Sequence, residues 1–266
     1  MSKDNVEIVI VPGFFATTPP YQVLVDGLKA KGFNARTVGL PSVNDGTRFP
    51  AATMQDDAAE IRSAVLSILD DPQTPRNVVL AAHSYGGVPT TEALKGLSKA
   101  DRSAEAKSTA AVGLLYMAAF IPQMGQSVQD LISTDVDLPE AFRHPAPGTY
   151  YPTTPAEFAS FVFNDVEDPA EAARLHATFE RHSADSYDGK VSYAAWKDIP
   201  SVQIVPSVDM VISVAKQQEM ADRVKELAPG KFKQAVYEGA GHCFCWHGAG
   251  IGRTVDELVK LAEENL

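Results

Sequence analysis

A chain of 266 residues with 45% hydrophobic content can bury a substantial core as one α/β domain, with room for an insertion. Its 23 Lys and Arg face 34 Asp and Glu, a net charge of -11. Such a surface repels phosphate backbones and anionic lipid, which argues against nucleic acid and membrane as partners.

Residues 6–11 read as a first buried strand, left through the turn Pro12-Gly13-Phe14-Phe15. Pro19 and Pro20 precede a helix over residues 21–30, with Val23, Leu24 and Leu28 on one face and Lys31-Gly32 as its stop. Residues 35–40 form a second strand, and residues 41–50 a loop rich in Gly, Asn, Asp and Pro. Thr53 caps a long amphipathic helix reaching about Leu69, in which Ile61, Val65, Ile68 and Leu69 recur at helical spacing. Residues 78–82 are a third strand, and residues 110–119 a fourth, beyond the charged loop 99–107.

Over residues 122–200 prolines and aromatics become frequent and strand-like runs vanish, while residues 155–163 and 169–182 look helical. The alternation then resumes, with strands at 202–205 and 232–237 and helices at 214–227 and 253–264. Alternating elements predict a mostly parallel sheet flanked by helices on both faces. Residues 1–121 and 201–266 are expected to form that core, with a helical cap, residues 122–200, inserted after the fourth recognisable strand.

Chemistry centres on Ala82-His83-Ser84-Tyr85-Gly86-Gly87. A buried strand, a polar apex and a helix opened by glycines have the pattern of a nucleophile elbow, which holds a Ser hydroxyl above the sheet edge. Strand and helix nearly touch there, so small residues are needed two before and two after the Ser; Ala82 and Gly86 supply them. A Ser hydroxyl needs a base, and the base an orienting acid. His242 lies in the glycine-rich loop after the last strand, and Asp209 just after the strand before it, both at the edge where open α/β sheets build sites. A solvated loop His and a helix-capping Asp are the plainer alternatives, and Asp135 or Asp137 is the reserve acid. The candidate oxyanion donors are the backbone N–H groups of Phe14 and Tyr85, with Gly13 allowing close approach.

His242-Cys243-Phe244-Cys245-Trp246-His247 holds four possible metal ligands, but alternate residues of an extended segment face opposite sides and zinc sites space cysteines more widely, so no metal is expected. His83 is expected to pack in the elbow. Cys243 and Cys245 are too close for a disulfide framework, residues 1–5 lack the marks of a signal peptide, and no apolar run spans a membrane, so a cytoplasmic protein is expected. Ten of the chain's 22 aromatics fall in the inserted stretch 122–200 that would roof the sheet edge, so Phe158 and Phe161 are expected to line a substrate pocket, with Met117 and Phe120 below.

These residues resemble the α/β-hydrolase superfamily, and more closely its small-esterase and hydroxynitrile-lyase-like branch. The likeness extends to Met117-Ala118-Ala119-Phe120-Ile121-Pro122, to Phe163-Asn164-Asp165 and to Tyr193-Ala194-Ala195-Trp196, and is weakest over residues 130–154. It implies Ser84, Asp209 and His242 as a triad, Phe14 and Tyr85 as oxyanion donors, and hydrolysis of a small apolar ester, lactone or thioester without a cofactor. Pro12 stands where the family has His, and Gly13 and Cys243 where the lyases have Thr and Lys, so a cyanide-releasing activity is not expected. Two other classes share this frame: a receptor that keeps the triad, and another non-hydrolytic lyase. Turnover of a p-nitrophenyl ester separates them from a hydrolase.

Overall fold

The computed structural model describes residues 3–132, 146–152 and 158–265. In chain order the elements are β1 (Val6–Val11), α1 (Gln22–Ala30), β2 (Asn34–Thr37), β3 (Val43–Asn44), α2 (Met54–Leu69), β4 (Asn77–His83), α3 (Gly87–Ala93), α4 (Lys99–Ala104) and β5 (Ala111–Met117). They continue with α5 (Val128–Leu131), β6 (Tyr150–Tyr151), α6 (Ala159–Val162), α7 (Pro169–His176), β7 (Arg181–Ser183), β8 (Ser201–Pro206), α8 (Val214–Leu227), β9 (Phe232–Tyr237) and α9 (Gly248–Asn265).

Six strands form one parallel sheet in the order β2-β1-β4-β5-β8-β9. The apolar runs of β1, β4 and β5 are buried along nearly their whole length, as strands covered on both faces must be. Each fully buried Val, Leu or Ile there contributes roughly 1.5–3 kcal/mol of transfer free energy. Glu7 breaks the apolar run of β1 but is ion-paired with Arg36 and, at 3.2 Å, with Arg76. At the start of α2, Thr53 Oγ1 accepts from Asp56 N–H at 3.2 Å while Asp56 accepts from Thr53 N–H at 2.8 Å. This reciprocal cap fixes where the helix begins.

Register brings the functional turns together. Val11 pairs with Ala82, His83 with Met117, and Pro206 with Tyr237, so β1, β4, β8 and β9 all end at one edge. The turns holding Phe14, Ser84, Asp209 and His242 leave the sheet there.

Several expected elements differ. The second strand stops at Thr37, although Val38 N–H still reaches Ile10 O at 3.0 Å. The loop at 41–50 supplies β3, which pairs antiparallel with β7, itself paired with β6. The inserted segment is therefore not wholly helical. Strands of two or three residues are too short to show an alternating pattern, so they leave no trace in the sequence. Pairing of Arg181 and His182 with β3 also ends the helix expected over 169–182 at His176. Among the described residues, no helix is long and apolar enough to cross a membrane.

Candidate active site

β4 ends at His83, and Ser84 follows with φ +53°. A non-glycine residue in this left-handed region costs roughly 1–2 kcal/mol, which surrounding packing must offset. Four non-glycine residues among those described have positive φ, and three of them (Phe15, Ser84 and Ala118) lie just past β1, β4 and β5. Strain is thus concentrated at one sheet edge. Phe120 N–H braces the elbow by donating to Ser84 O at 3.2 Å. A Cβ on Gly86 would overlap the Pro12 carbonyl oxygen, and one on Gly87 the Phe120 carbonyl oxygen, so only glycine fits at either position.

Ser84, His242 and Asp209 meet here, all buried. Ser84 Oγ is 2.9 Å from His242 Nε2, and His242 Nδ1 is 3.0 and 3.1 Å from the two Asp209 oxygens. An ionised carboxylate only accepts, so Nδ1 carries the proton and Nε2 accepts from the serine hydroxyl. That is the tautomer a general base requires. Asp209 also accepts from Val211 N–H at 2.8 Å, Ile212 N–H at 3.0 Å and Gln217 Nε2 at 2.8 Å. These bonds fix its orientation and compensate its burial. Asp135 and Asp137, the reserve acids, lie outside the described residues.

Among the described residues, no acceptor engages the N–H of Phe14 or Tyr85. The Tyr85 side chain is committed elsewhere: its hydroxyl donates to Asp57 Oδ2 at 2.6 Å, and its ring stacks on Phe14 at 4.4 Å. Burial pushes the Asp57 carboxyl up to about 6, against hydrogen bonds from Ser42 and Tyr85 that favour its charge. The native state therefore holds this proton more tightly than the unfolded chain does. The Asp57 contribution to stability is full below about pH 4 and is lost as pH rises through about 6. Asp57→Asn, whose amide can serve both Ser42 and Tyr85, should flatten that part of the stability profile. Thermal unfolding of both proteins across this range checks it, and equal slopes would contradict it.

Above Ser84 opens a cleft of about 870 Å³, counted out to its mouth. Gly13, Phe14, Phe120 and Phe158 line it, together with Ser84 and His242. Met117 and Phe161 are not among the lining residues, which corrects the sequence reading. Met117 is fully buried at the end of β5, its side chain spent in the core. Phe161 packs on Phe158 at 5.0 Å, partly exposed. Helical phase misplaced it because Phe158 precedes the helix, and Val162 takes the inward position.

Sequence reasoning missed Phe179, Tyr187 and Trp246 as further lining aromatics. Trp246, four residues past His242, was legible in principle as part of the same loop. The other two reach the cleft through pairing of β7 that the sequence does not reveal. Lys216 is the one charged lining side chain among the described residues, and Glu219 neutralises it at 3.0 Å. Burial pushes both cysteine thiols up, so they stay protonated. His247 faces Asp165 at 3.3 Å. Among the described residues no three His, Cys, Asp or Glu gather as a metal site.

A model of the α/β-hydrolase family matches residues 8–257. A probable hydrolase of Phoma sp., R7, is 34% identical over 245 residues, spanning 90% of this chain and 91% of that protein. An extracellular α/β-hydrolase from a Paenibacillus species, described as sharing homology with tobacco salicylic acid binding protein 2, superposes with a TM-score of 0.72 at 15% identity, covering 96% of this chain and 98% of its own. The methylesterase MES16 from Arabidopsis superposes with a TM-score of 0.66 at 19% identity, covering 97% and 99%. At these identities the two solved structures speak to the fold. The family model, matched over most of the chain, and the relative from Phoma together identify this protein as a member of the α/β-hydrolase family and a hydrolase of that fold.

Proposed function

We propose that this protein is a serine hydrolase that cleaves a small, apolar carboxylic ester, lactone or thioester through an acyl-enzyme on Ser84. The observation that carries this reading is the unbroken chain from Asp209 through His242 to Ser84, in the tautomer that leaves Nε2 free to take the hydroxyl proton. In the first half-reaction Ser84 Oγ bonds to the acyl carbon as its proton passes to His242 Nε2. The carbonyl oxygen takes up negative charge facing the Phe14 and Tyr85 amides, and the protonated imidazole then gives its proton to the departing alcohol or thiol. Water enters by the same route in reverse, and the carboxylic acid leaves. Asp209 holds the imidazole in orientation throughout, itself fixed by accepting from two amides and Gln217.

The aromatic walls favour an apolar acyl or alcohol group. Burial of apolar area contributes about 25 cal/mol per Å², and the charge of Lys216 is already matched by Glu219. The relative named a probable hydrolase and the neighbour named a methylesterase support the same class.

A panel of p-nitrophenyl esters tests this reading. Turnover is expected to rise from acetate towards bulkier apolar acyl groups. Phe158→Ala should raise KM for the bulky esters about tenfold while changing that for the acetate little, because the deleted ring removes apolar contact only a larger acyl group reaches. Equal effects on both would assign Phe158 to local packing. A folded protein that binds apolar ligands tightly yet turns over no ester would overturn the hydrolase reading in favour of a receptor.

A further inference from the structure

The turn that carries Phe14 is tied down on both sides of that residue. Before it, Gly13 N–H donates to the Tyr21 hydroxyl at 3.1 Å. Tyr21 Oη is 2.7 Å from His83 Nδ1, and His83 Nε2 is 3.0 Å from the His242 carbonyl oxygen. A carbonyl only accepts, so Nε2 carries the proton and Nδ1 accepts from the tyrosine. After Phe14, Phe15 N–H donates to His182 Nδ1 at 3.4 Å. His182 Nε2 lies 2.8 Å from Ser186 Oγ, whose own proton goes to the Ser183 carbonyl at 2.9 Å. This ring too is protonated on Nε2 and accepts on Nδ1.

Each chain therefore has a single polarity and ends on a carbonyl oxygen. One comes from the sheet and the loop of His242; the other comes from β7. Backbone pairing strengthens the second: Glu180 N–H donates to Phe15 O at 2.9 Å, and Ala16 bridges Phe179 antiparallel. Of the three successive amides 13 to 15, only that of Phe14 lacks an acceptor among the described residues. Pro12, just before, has neither a side-chain donor nor an N–H with which to fix the turn.

Tyr21, His83 and His182 are buried. Burial holds both imidazoles down to about 3, helped at His83 by the neighbouring His242. Both rings thus remain neutral acceptors through the physiological range. A protonated ring would present an N–H to the hydroxyl or amide it now accepts from and would break the clamp.

We infer that Tyr21, through His83, and His182 are positioning residues of the oxyanion hole, clamping the amides on either side of Phe14 so that, of the three, only its N–H is left to join that of Tyr85 in facing the developing charge. The inference rests on the acyl-enzyme reading above. It also makes β7 part of the catalytic apparatus, since the hole is completed by a side chain from the segment inserted between β5 and β8. An oxyanion donor that is lost outright costs roughly 10²–10³-fold in kcat. One that is merely released to wander should cost less, about tenfold or more.

The test uses p-nitrophenyl butyrate as substrate and an apolar trifluoromethyl ketone as inhibitor, because its adduct on the serine carries an oxyanion. His182→Leu removes both hydrogen-bonding nitrogens at similar volume. It should lower kcat about tenfold or more, leave KM within about twofold, and weaken the trifluoromethyl ketone by the same factor as kcat/KM. Binding of the corresponding methyl ketone should not change. His182→Gln, whose amide can accept from Phe15 and donate to Ser186, should recover most of the rate. Tyr21→Phe, which deletes one hydroxyl, should show the same kcat and inhibitor pattern and decides the matter if the leucine variant does not fold.

Folded variants with wild-type kcat and wild-type inhibitor affinity would overturn the inference. So would losses in KM and stability with inhibitor affinity unchanged, which would mark a purely structural role. Wild-type protein without serine-dependent ester turnover would instead remove the acyl-enzyme reading, and this inference with it.

Discussion

Ser84→Ala is expected to leave a folded protein whose turnover of p-nitrophenyl esters falls by on the order of 10⁴-fold or more. The change removes one oxygen from a small side chain, and the residue it creates meets the same backbone demands at φ +53°. The bracing bond from Phe120 N–H to the residue 84 carbonyl does not involve the side chain, so the elbow keeps its shape. What disappears is the atom 2.9 Å from His242 Nε2, and among the described residues no other hydroxyl contacts that nitrogen. Thermal unfolding should shift by no more than a few degrees while the rate with p-nitrophenyl butyrate drops to background. A folded variant that keeps more than a tenth of wild-type activity would remove Ser84 from the chemistry.

Asp209→Asn should lower kcat by roughly 10⁴-fold with a much smaller change in KM. The carboxylate accepts from four donors: Val211 N–H, Ile212 N–H, Gln217 Nε2 and His242 Nδ1. An amide has one oxygen, and the two backbone donors on Oδ1 cannot turn away, so they keep it. The amide NH₂ then faces the imidazole. His242 answers by accepting on Nδ1 and carrying its proton on Nε2, where it opposes the serine hydroxyl instead of receiving its proton. Gln217 can answer by turning its amide, whose Oε1 is buried without a partner and would accept from the new NH₂, at the cost of the 2.8 Å bond from its Nε2 to Ile212 O. The loss should therefore appear in kcat and not in folding. A mild effect would show that Asp209 only orders its loop, and would return the acid role to Asp135 or Asp137.

Much of this site is legible in the sequence because its signals are local. The elbow is written in six consecutive residues, and the burial of β1, β4 and β5 follows from unbroken apolar runs. Asp209 and His242 were found from their places just beyond strand ends, which the parallel sheet then gathers at one edge. The parts that stayed hidden depend on long-range pairing. His182 meets the Phe15 amide across 167 residues of sequence, and nothing near either position announces the contact. The small sheet β3-β7-β6 that delivers His182 has strands too short for periodicity to register. Phe161 failed differently. Phe158, at the N-cap of a helix of a single turn, lines the cleft, whereas Phe161 packs beside it and Val162 takes the inward place.

Intact-protein mass spectrometry after treatment with an apolar fluorophosphonate, followed by peptide mapping, tests the central claim most directly. Phosphonylation needs a serine hydroxyl whose proton an adjacent base accepts and an oxyanion site that receives the phosphoryl oxygen, so it reports the assembled chemistry without knowledge of the natural substrate. The expected result is a single adduct per chain, mapped to Ser84, lost in Ser84→Ala and strongly slowed in Asp209→Asn. A folded wild-type protein that takes no label, or takes it at another residue, would contradict a nucleophilic Ser84 activated by His242.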